Sequence, residues 1–338
     1  MKLYCFVLML FFANVSKGQD KGFDVIKIGL PPTLSYYDNQ FSGMFLKDEK
    51  LFLLSESRLQ DSANAIIYVL KIADINRKIL DTNYKMHFEN YPIKNLDLLR
   101  EKMEAIGDVY EGLEAIFMEG DNVYLSVETS TPSKNCYLLR GNLYDNAVFL
   151  DLAFLLPMPK PTNANGDHIY NAGFECLTMI DLTLIGLYEY NYFVGNNNAA
   201  IAITPQSYTT ALYQKASMQP LPFRITDITK TSKNTFTAIN YFYKGGGKDS
   251  VYRVPITDVK NDQLIRDTNG YKSYCRLIKL KYKNYKFSWE PMWEFPTEYM
   301  AYNWECIAEH NGGYFVLNDK YTASKPYKSV LLFLLPRK

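Results

Sequence analysis

Residues 303–322 read NWECIAEHNGGYFVLNDKYT: a short apolar run, a glycine turn and a second apolar run. Glu305 stands at the start, and Asp319 closes the second run fourteen residues later. Two apolar runs joined by Asn-Gly-Gly read as a β-hairpin. A hairpin buries apolar residues, so two acids brought together at its open end need a reason. Four other stretches share the pattern: FSGMFLKDEKLFLLSES from Phe41, LEAIFMEGDNVYLSVET from Leu113, FECLTMIDLTLIGLYEYN from Phe174 and ITDITKTSKNTFTAINYF from Ile225. Aligned on Glu305, the first position holds Ser42, Glu114, Glu175, Thr226 and Glu305. Fourteen residues on, without a gap, stand Glu56, Glu128, Glu189, Asn240 and Asp319. The chain is a fivefold repeat.

The second run of each repeat (LFLL, VYLSV, LIGLY, FTAI, YFVL) is apolar on both faces, as in a strand buried between layers. Further strand-like runs follow. They include AIIYVLKI (65–72), YKMHFEN (84–90), NCYLLRGNL (135–143) and AVFLDL (147–152). Later come AAIAIT (199–204), YCRLIKLKY (274–282) and YKFSWEPMWEF (285–295). Each repeat thus holds about four strands, which predicts an all-β fold, a β-propeller of five blades. Six blades is the alternative, with a degenerate blade in 73–112, where NLDLLREKMEAI looks helical, or in the insertion 244–272. The last repeat ends on SVLLFLLP (329–336) and lacks a strand, which DVIKIGL (24–30) can supply. Pairing the chain ends removes two exposed sheet edges.

The first residues carry Lys2, an apolar stretch from Leu3 to Ala13, and small residues at Ser16 and Gly18. This reads as a secretory signal peptide over 1–18, cleaved before Gln19, with a single domain over 19–338. The stretch is too short to span a bilayer, so a secreted or periplasmic protein without membrane insertion is expected, taken as a monomer. A formal net charge of +1 recommends no nucleic acid. Cys136, Cys176, Cys275 and Cys306 remain after cleavage, with three possible pairings. Cys176 and Cys306 follow ring acids in non-neighbouring blades, too far apart to bridge. Only three histidines occur, scattered at 87, 168 and 310, which argues against zinc or a histidine-based triad. Trp289 and Trp293 are expected to pack between blades.

In a propeller the first strand of each blade lines the central channel. The first-position residues should therefore ring one mouth, with the second-position residues beside them. Acids converging in a narrow channel either take up protons or share a cation. Ser42, Glu114, Glu175, Thr226 and Glu305 offer oxygen alone, which suits Ca²⁺, with Mg²⁺ as the alternative. Glu56, Asn240 and Asp319 would orient that ring.

A ring of Ser, Glu, Glu, hydroxyl and Glu, one per blade, resembles the soluble calcium-activated nucleotidases, the apyrases. YEGLEAIF (110–117) and NWECIA (303–308) are similar to blade starts of bacterial esterase-like and phytase-like propeller proteins. The first resemblance implies a central Ca²⁺ and hydrolysis of a small phosphoester or phosphoanhydride. Glu128 or Glu189 would then act as general base. Arg58 and Lys320, with Arg224 and Lys244 nearby, would steady phosphate. Tyr190, Phe242 or Tyr321 would stack on a ring. The alternative is a non-catalytic binding module tied together by a structural Ca²⁺.

Overall fold

The computed structural model describes residues 22–337, apart from 37–38, 57–64, 132, 164, 193–199, 205–207, 209–212 and 320–327. The segment read as a signal peptide, Arg58, Lys320 and Tyr321 lie outside the described residues.

Strands dominate the chain, and each repeat hairpin opens a four-stranded antiparallel unit. The first unit is β2 (Phe41–Lys47), β3 (Lys50–Ser55), β4 (Ile66–Lys71) and β5 (Glu89–Lys94). The second is β6 (Tyr110–Glu119), β7 (Asn122–Thr129), β8 (Asn135–Tyr144) and β9 (Ala147–Pro159). The third is β10 (Cys176–Ile180), β11 (Thr183–Leu187), β13 (Ala200–Ile203) and β14 (Gln214–Met218). The short β12 (Tyr190–Asn191) crosses to the fourth unit, which is β15 (Leu221–Ser232), β16 (Thr235–Phe242), β19 (Tyr274–Lys283) and β20 (Lys286–Glu294). The fifth is β21 (Trp304–His310), β22 (Gly313–Asn318) and β23 (Leu331–Pro336). Its outer strand is β1 (Phe23–Ile28), antiparallel to β23 with Phe23 opposite Pro336.

The first strands neighbour one another in cyclic order: β2 meets β6, β6 meets β10, β10 meets β15, β15 meets β21, and β21 meets β2. Second strands are buried on both faces, as their unbroken apolar runs predict; all six residues of β22 are buried. The outermost β20 is largely exposed. Apolar side chains fill the space between units, as where Phe52 and Leu54 of the first share a cluster with Ile116 and Leu125 of the second. Trp293 packs edge-on against Phe23, 5.4 Å between ring centres, and Trp289 donates to the Pro220 carbonyl at 2.9 Å.

Two expectations shift. YKMHFEN is a strand only from Glu89; the preceding residues link it to α1 (Ile72–Leu80), and Met86 is buried beside Leu34 and Phe41. The stretch 73–112 holds α1, β5 and α2 (Leu96–Ala105) instead of a further unit. The insertion 244–272 contains a 3₁₀ helix (Gly247–Tyr252), α3 (Val259–Leu264) and a minimal hairpin of β17 (Arg266–Asp267) with β18 (Gly270–Tyr271). No helix among the described residues is long and apolar enough to cross a membrane. The four cysteines are buried and unpaired.

Candidate functional site

Four of the five first-position residues occupy one kind of backbone feature. Strand register slips between Phe41 and Gly43, Leu113 and Ala115, Ile225 and Asp227, and Trp304 and Cys306. The residue passed over is in turn Ser42, Glu114, Thr226 and Glu305. In the third unit Glu175 sits just ahead of β10. A β-bulge leaves its extra residue outside the ladder and re-aims the side chain. The sequence thus places its oxygen donors where the backbone itself turns them away from the sheet.

The fourteen-residue spacing has a matching cause. In four of the five units the residue two places before the ring position meets the second-position residue across the hairpin; in the fourth, Asn240 lies opposite Ile225. Gly112 lies opposite Glu128. The backbone N–H of Glu56 donates to Gln40, that of Glu189 to Gly173 and that of Asp319 to Asn303, at 2.8–3.0 Å. Both acids of a hairpin therefore end at the same mouth.

These side chains surround a cavity of about 250 Å³. Glu56, Glu114, Glu128, Glu175, Glu305 and Asp319 line it, joined by Asp249 from the insertion. Arg224 is the one cationic group among its described lining residues. Burial, then the charge of Glu56, pushes the Glu114 carboxyl well above its usual range. Burial and the nearby Glu189 do the same to Glu175. Glu305 is pushed up to about 8 by burial and by Asp319, against the pull of Arg224. These shifts mark groups for which isolated negative charge is costly.

The two hydroxyl positions link units. Ser42 Oγ donates to the Leu113 carbonyl at 2.5 Å, and Thr226 Oγ1 to the Trp304 carbonyl at 2.6 Å. With the proton directed to a neighbouring strand, each oxygen keeps lone pairs for another partner. Thr226 lines the cavity; Ser42, expected in the same ring, is buried beside it and is not part of the wall.

Other expected residues also stand elsewhere. Glu189 is 1% exposed and does not line the cavity. It lies behind Tyr252, whose hydroxyl donates to Glu189 Oε1 at 2.8 Å, and beside Arg224, with Nη1 3.4 Å from Oε2. Burial, offset by Arg224, pushes Glu189 up to about 7. Tyr190 is buried with its ring edge-on to Tyr252, so it packs the wall's rear instead of stacking on a ligand. Asn240 is fully buried: its amide donates to the Pro222 and Arg224 carbonyls, and its oxygen accepts from Arg276 Nε at 2.8 Å. It fixes the backbone around Arg224 and stays away from the cavity.

Tyr252, Asn303 and Asp249 were not among the candidates. Asn303 Nδ2 donates to Glu305 Oε1 at 2.5 Å, and its oxygen accepts from Arg224 Nη2 at 3.2 Å. Arg224 and Asn303 share a column with Gln40, Gly112 and Gly173, two residues before each ring position. Extending the repeat alignment by two places finds them. Tyr252 and Asp249 come from the insertion, where no repeat signal exists.

The residue after each ring position forms a further column: Gly43, Ala115, Cys176, Asp227 and Cys306. Four are small. The buried Asp227 carboxylate accepts N–H bonds from Ile228 and Ile307, both at 2.7 Å, and from Met44. It braces the fourth unit to the fifth and the first.

Donor chemistry at the ring fits a hard cation: carboxylates that burial and mutual repulsion penalise, and two hydroxyl oxygens whose protons point elsewhere. Among the described residues, however, no three His, Cys, Asp or Glu side chains are gathered into a ready-made ion cage.

No protein-family model and no curated protein sequence matches the chain. Similar solved structures include a GH43_1 enzyme from Xanthomonas citri, with 8% identity and a TM-score of 0.49, covering 92% of this chain and 90% of that one. An α-L-arabinofuranosidase from Podospora anserina has 7% identity and a TM-score of 0.48 over 94% and 98% of the two chains. A putative oxidoreductase (glucose dehydrogenase) from Thermus thermophilus has 11% identity and a TM-score of 0.45 over 93% and 100%. These are not nucleotidases or phytases. Likeness of this degree, shared by glycosidases and a dehydrogenase, says nothing of activity.

Proposed function

We propose that the chain is an exported five-bladed β-propeller that binds a divalent cation, Ca²⁺ in preference to Mg²⁺, in its central cavity. With the cation bound, it hydrolyses a small phosphoester or phosphoanhydride. The cyclic order of first strands and the pairing of β1 with β23 support five blades. One observation carries the cation reading. Three ring residues, Glu114, Thr226 and Glu305, ride on β-bulges and line one buried, acid-rich cavity, with Glu175 beside them. Glu114, Glu175 and Glu305 would hold the ion, with the Thr226 oxygen, while Ser42 would brace the ring from outside the wall. When bound, it neutralises the carboxylates and polarises a phosphoryl oxygen.

The chain's own groups do the rest. Arg224, held by Glu189 and Asn303, is aimed at an anionic oxygen of the substrate. Glu128 packs beside Glu175 over Gly173 and completes the acidic wall. A structural cation in a non-catalytic module is the second reading. It is favoured by a cavity whose described lining has no Ser, Cys or His, and whose Thr226 hydroxyl is engaged with Trp304.

Hydrolysis of ADP and p-nitrophenyl phosphate with Ca²⁺, and its loss with chelator, tests the choice. Phosphate release that falls by about 100-fold on chelation is expected, the scale at which one electrostatic group contributes to a hydrolytic step. No turnover with an intact thermal response to Ca²⁺ would leave the binding module standing. Absence of both would remove the cation.

Gly112 tests the geometry. A Cβ there would lie 2.5 Å from Glu56 Oε1 and 2.8 Å from Glu114 Oε1. Gly112→Ala must push both carboxylates aside. Calorimetric titration should find Ca²⁺ affinity about tenfold weaker, or ~1.4 kcal/mol, with the fold retained. Unchanged affinity would place the ion away from Glu114.

A further inference from the structure

Resting on the hydrolase reading, we propose that Tyr252 is a catalytic residue, passing a proton from the attacking water to Glu189. Glu189 is the acid expected as base, yet it has no place in the cavity wall. Tyr252 does line the cavity, and it is 6% exposed. Its phenol donates to Glu189 Oε1 at 2.8 Å. Glu189 therefore meets the cavity through that phenol.

Both partners are held in place. Glu189 Oε2 faces Arg224 Nη1 at 3.4 Å. The Tyr190 ring packs edge-on to the Tyr252 ring at 5.3 Å, and the Arg224 guanidinium lies 5.4 Å from the Tyr252 ring centre. A phenol that gives its hydrogen to a carboxylate keeps oxygen lone pairs to accept another. Burial holds the Tyr252 hydroxyl well above its ordinary value, so it stays protonated between turnovers. Glu128, the other expected base, stands in the acidic cavity wall with Glu175.

The step balances. The water oxygen bonds to phosphorus as the leaving oxygen departs with the bonding electron pair. The water proton moves to Tyr252 Oη while the phenol's own proton moves to Glu189 Oε1. Tyr252 is neutral before and after, and Glu189 becomes the acid. The leaving oxygen takes a proton from solvent, and Glu189 returns its proton to solvent as products leave. Tyr252 touches the reacting water; Glu189 positions it and accepts the second proton.

The test uses the full mature chain with Ca²⁺ and p-nitrophenyl phosphate, comparing wild type, Tyr252→Phe, Glu189→Gln and the double variant. Each single change should lower kcat about 100-fold, the range of general base catalysis. In Tyr252→Phe, KM and the Ca²⁺-induced rise in melting temperature should hold; in Glu189→Gln, which also loosens Arg224, KM should rise as well. The double variant should be no slower than either single one, as for groups acting as a unit. In mixtures of H₂O and D₂O, wild-type kcat should fall along a curve, reporting two protons in flight, and Tyr252→Phe should lose that curvature. Additive losses, or a curved deuterium response retained in Tyr252→Phe, would overturn the relay and leave the hydrolase reading intact. Glu189→Gln keeps an oxygen acceptor for the phenol, so it reads the relay even where Tyr252→Phe folds poorly. A wild type without cation-dependent turnover would overturn both.

Discussion

Ca²⁺ added to the metal-free protein is expected to raise its melting temperature by about 5 °C, and chelator should reverse the rise. An ion bound only by the folded state adds about 2.7 kcal/mol at one hundred times its dissociation constant. For a chain of this size about 2 °C accompanies each kcal/mol. The pH dependence strengthens the test. Glu305 is pushed up to about 8 and Glu189 to about 7 from an ordinary 4.5, and Glu114 and Glu175 are also raised. As pH rises past 4.5 the unfolded chain releases these protons first, while the folded chain retains them. The contribution of Glu305 and Glu189 is therefore full below about 4.5 and falls as pH climbs toward about 8, and Glu114 and Glu175 act in the same direction. Metal-free protein should melt progressively lower across that window. Ca²⁺ binds the ionised acids, so its stabilising effect should grow over the same window. Glu175→Gln should raise the metal-free melting temperature near pH 8 and lose the Ca²⁺ response. A melting temperature indifferent to Ca²⁺ at every pH would sink the cation site.

Asp227→Ala is expected to cost about 3 kcal/mol, read as a lower urea midpoint with an unchanged slope. The Asp227 carboxylate accepts the Ile228 and Ile307 N–H groups at 2.7 Å, and the Met44 N–H, in a buried setting. Removing it strands backbone donors that water cannot reach, at ~1–3 kcal/mol each, partly offset by relief of the buried charge. Asp227→Asn keeps an acceptor oxygen and gives up the charge, so it should cost about 1 kcal/mol. If Asp227→Ala left the midpoint unchanged, the contact between the fourth, fifth and first units would have no energetic role.

The shared hairpin end was legible because one spacing recurs five times. A fourteen-residue interval with no gap fixes which residues share a hairpin end, and the cross-strand partners Gly112 and Glu128 give its physical reason. The same alignment holds Arg224 and Asn303 two places upstream, a column visible only once its neighbours are known to face the second-position acids. Depth was not legible. Glu128 and Glu189 are equivalent in the repeat, yet one lines the cavity and the other is covered by Tyr252. The cover comes from an insertion in a single unit, which no repeat can forecast. The bulges were likewise hidden, since a one-residue slip leaves no trace in an apolar run.

The pairing of β1 with β23 bears on the order of events in folding. Phe23 lies opposite Pro336, so nearly the whole polypeptide separates the two partners of the last seam. Closing a loop of that length costs an entropy that grows only as the logarithm of length, about 5 kcal/mol for some 300 residues. That cost precedes any reward from the seam itself. The four units with local partners can form as each hairpin arrives, while the fifth waits for both chain ends. Until then β23 presents a row of unpaired backbone groups, open to the edge of another molecule. The nascent protein is most prone to stick to its own copies during this interval, and the N-terminal strand ends it.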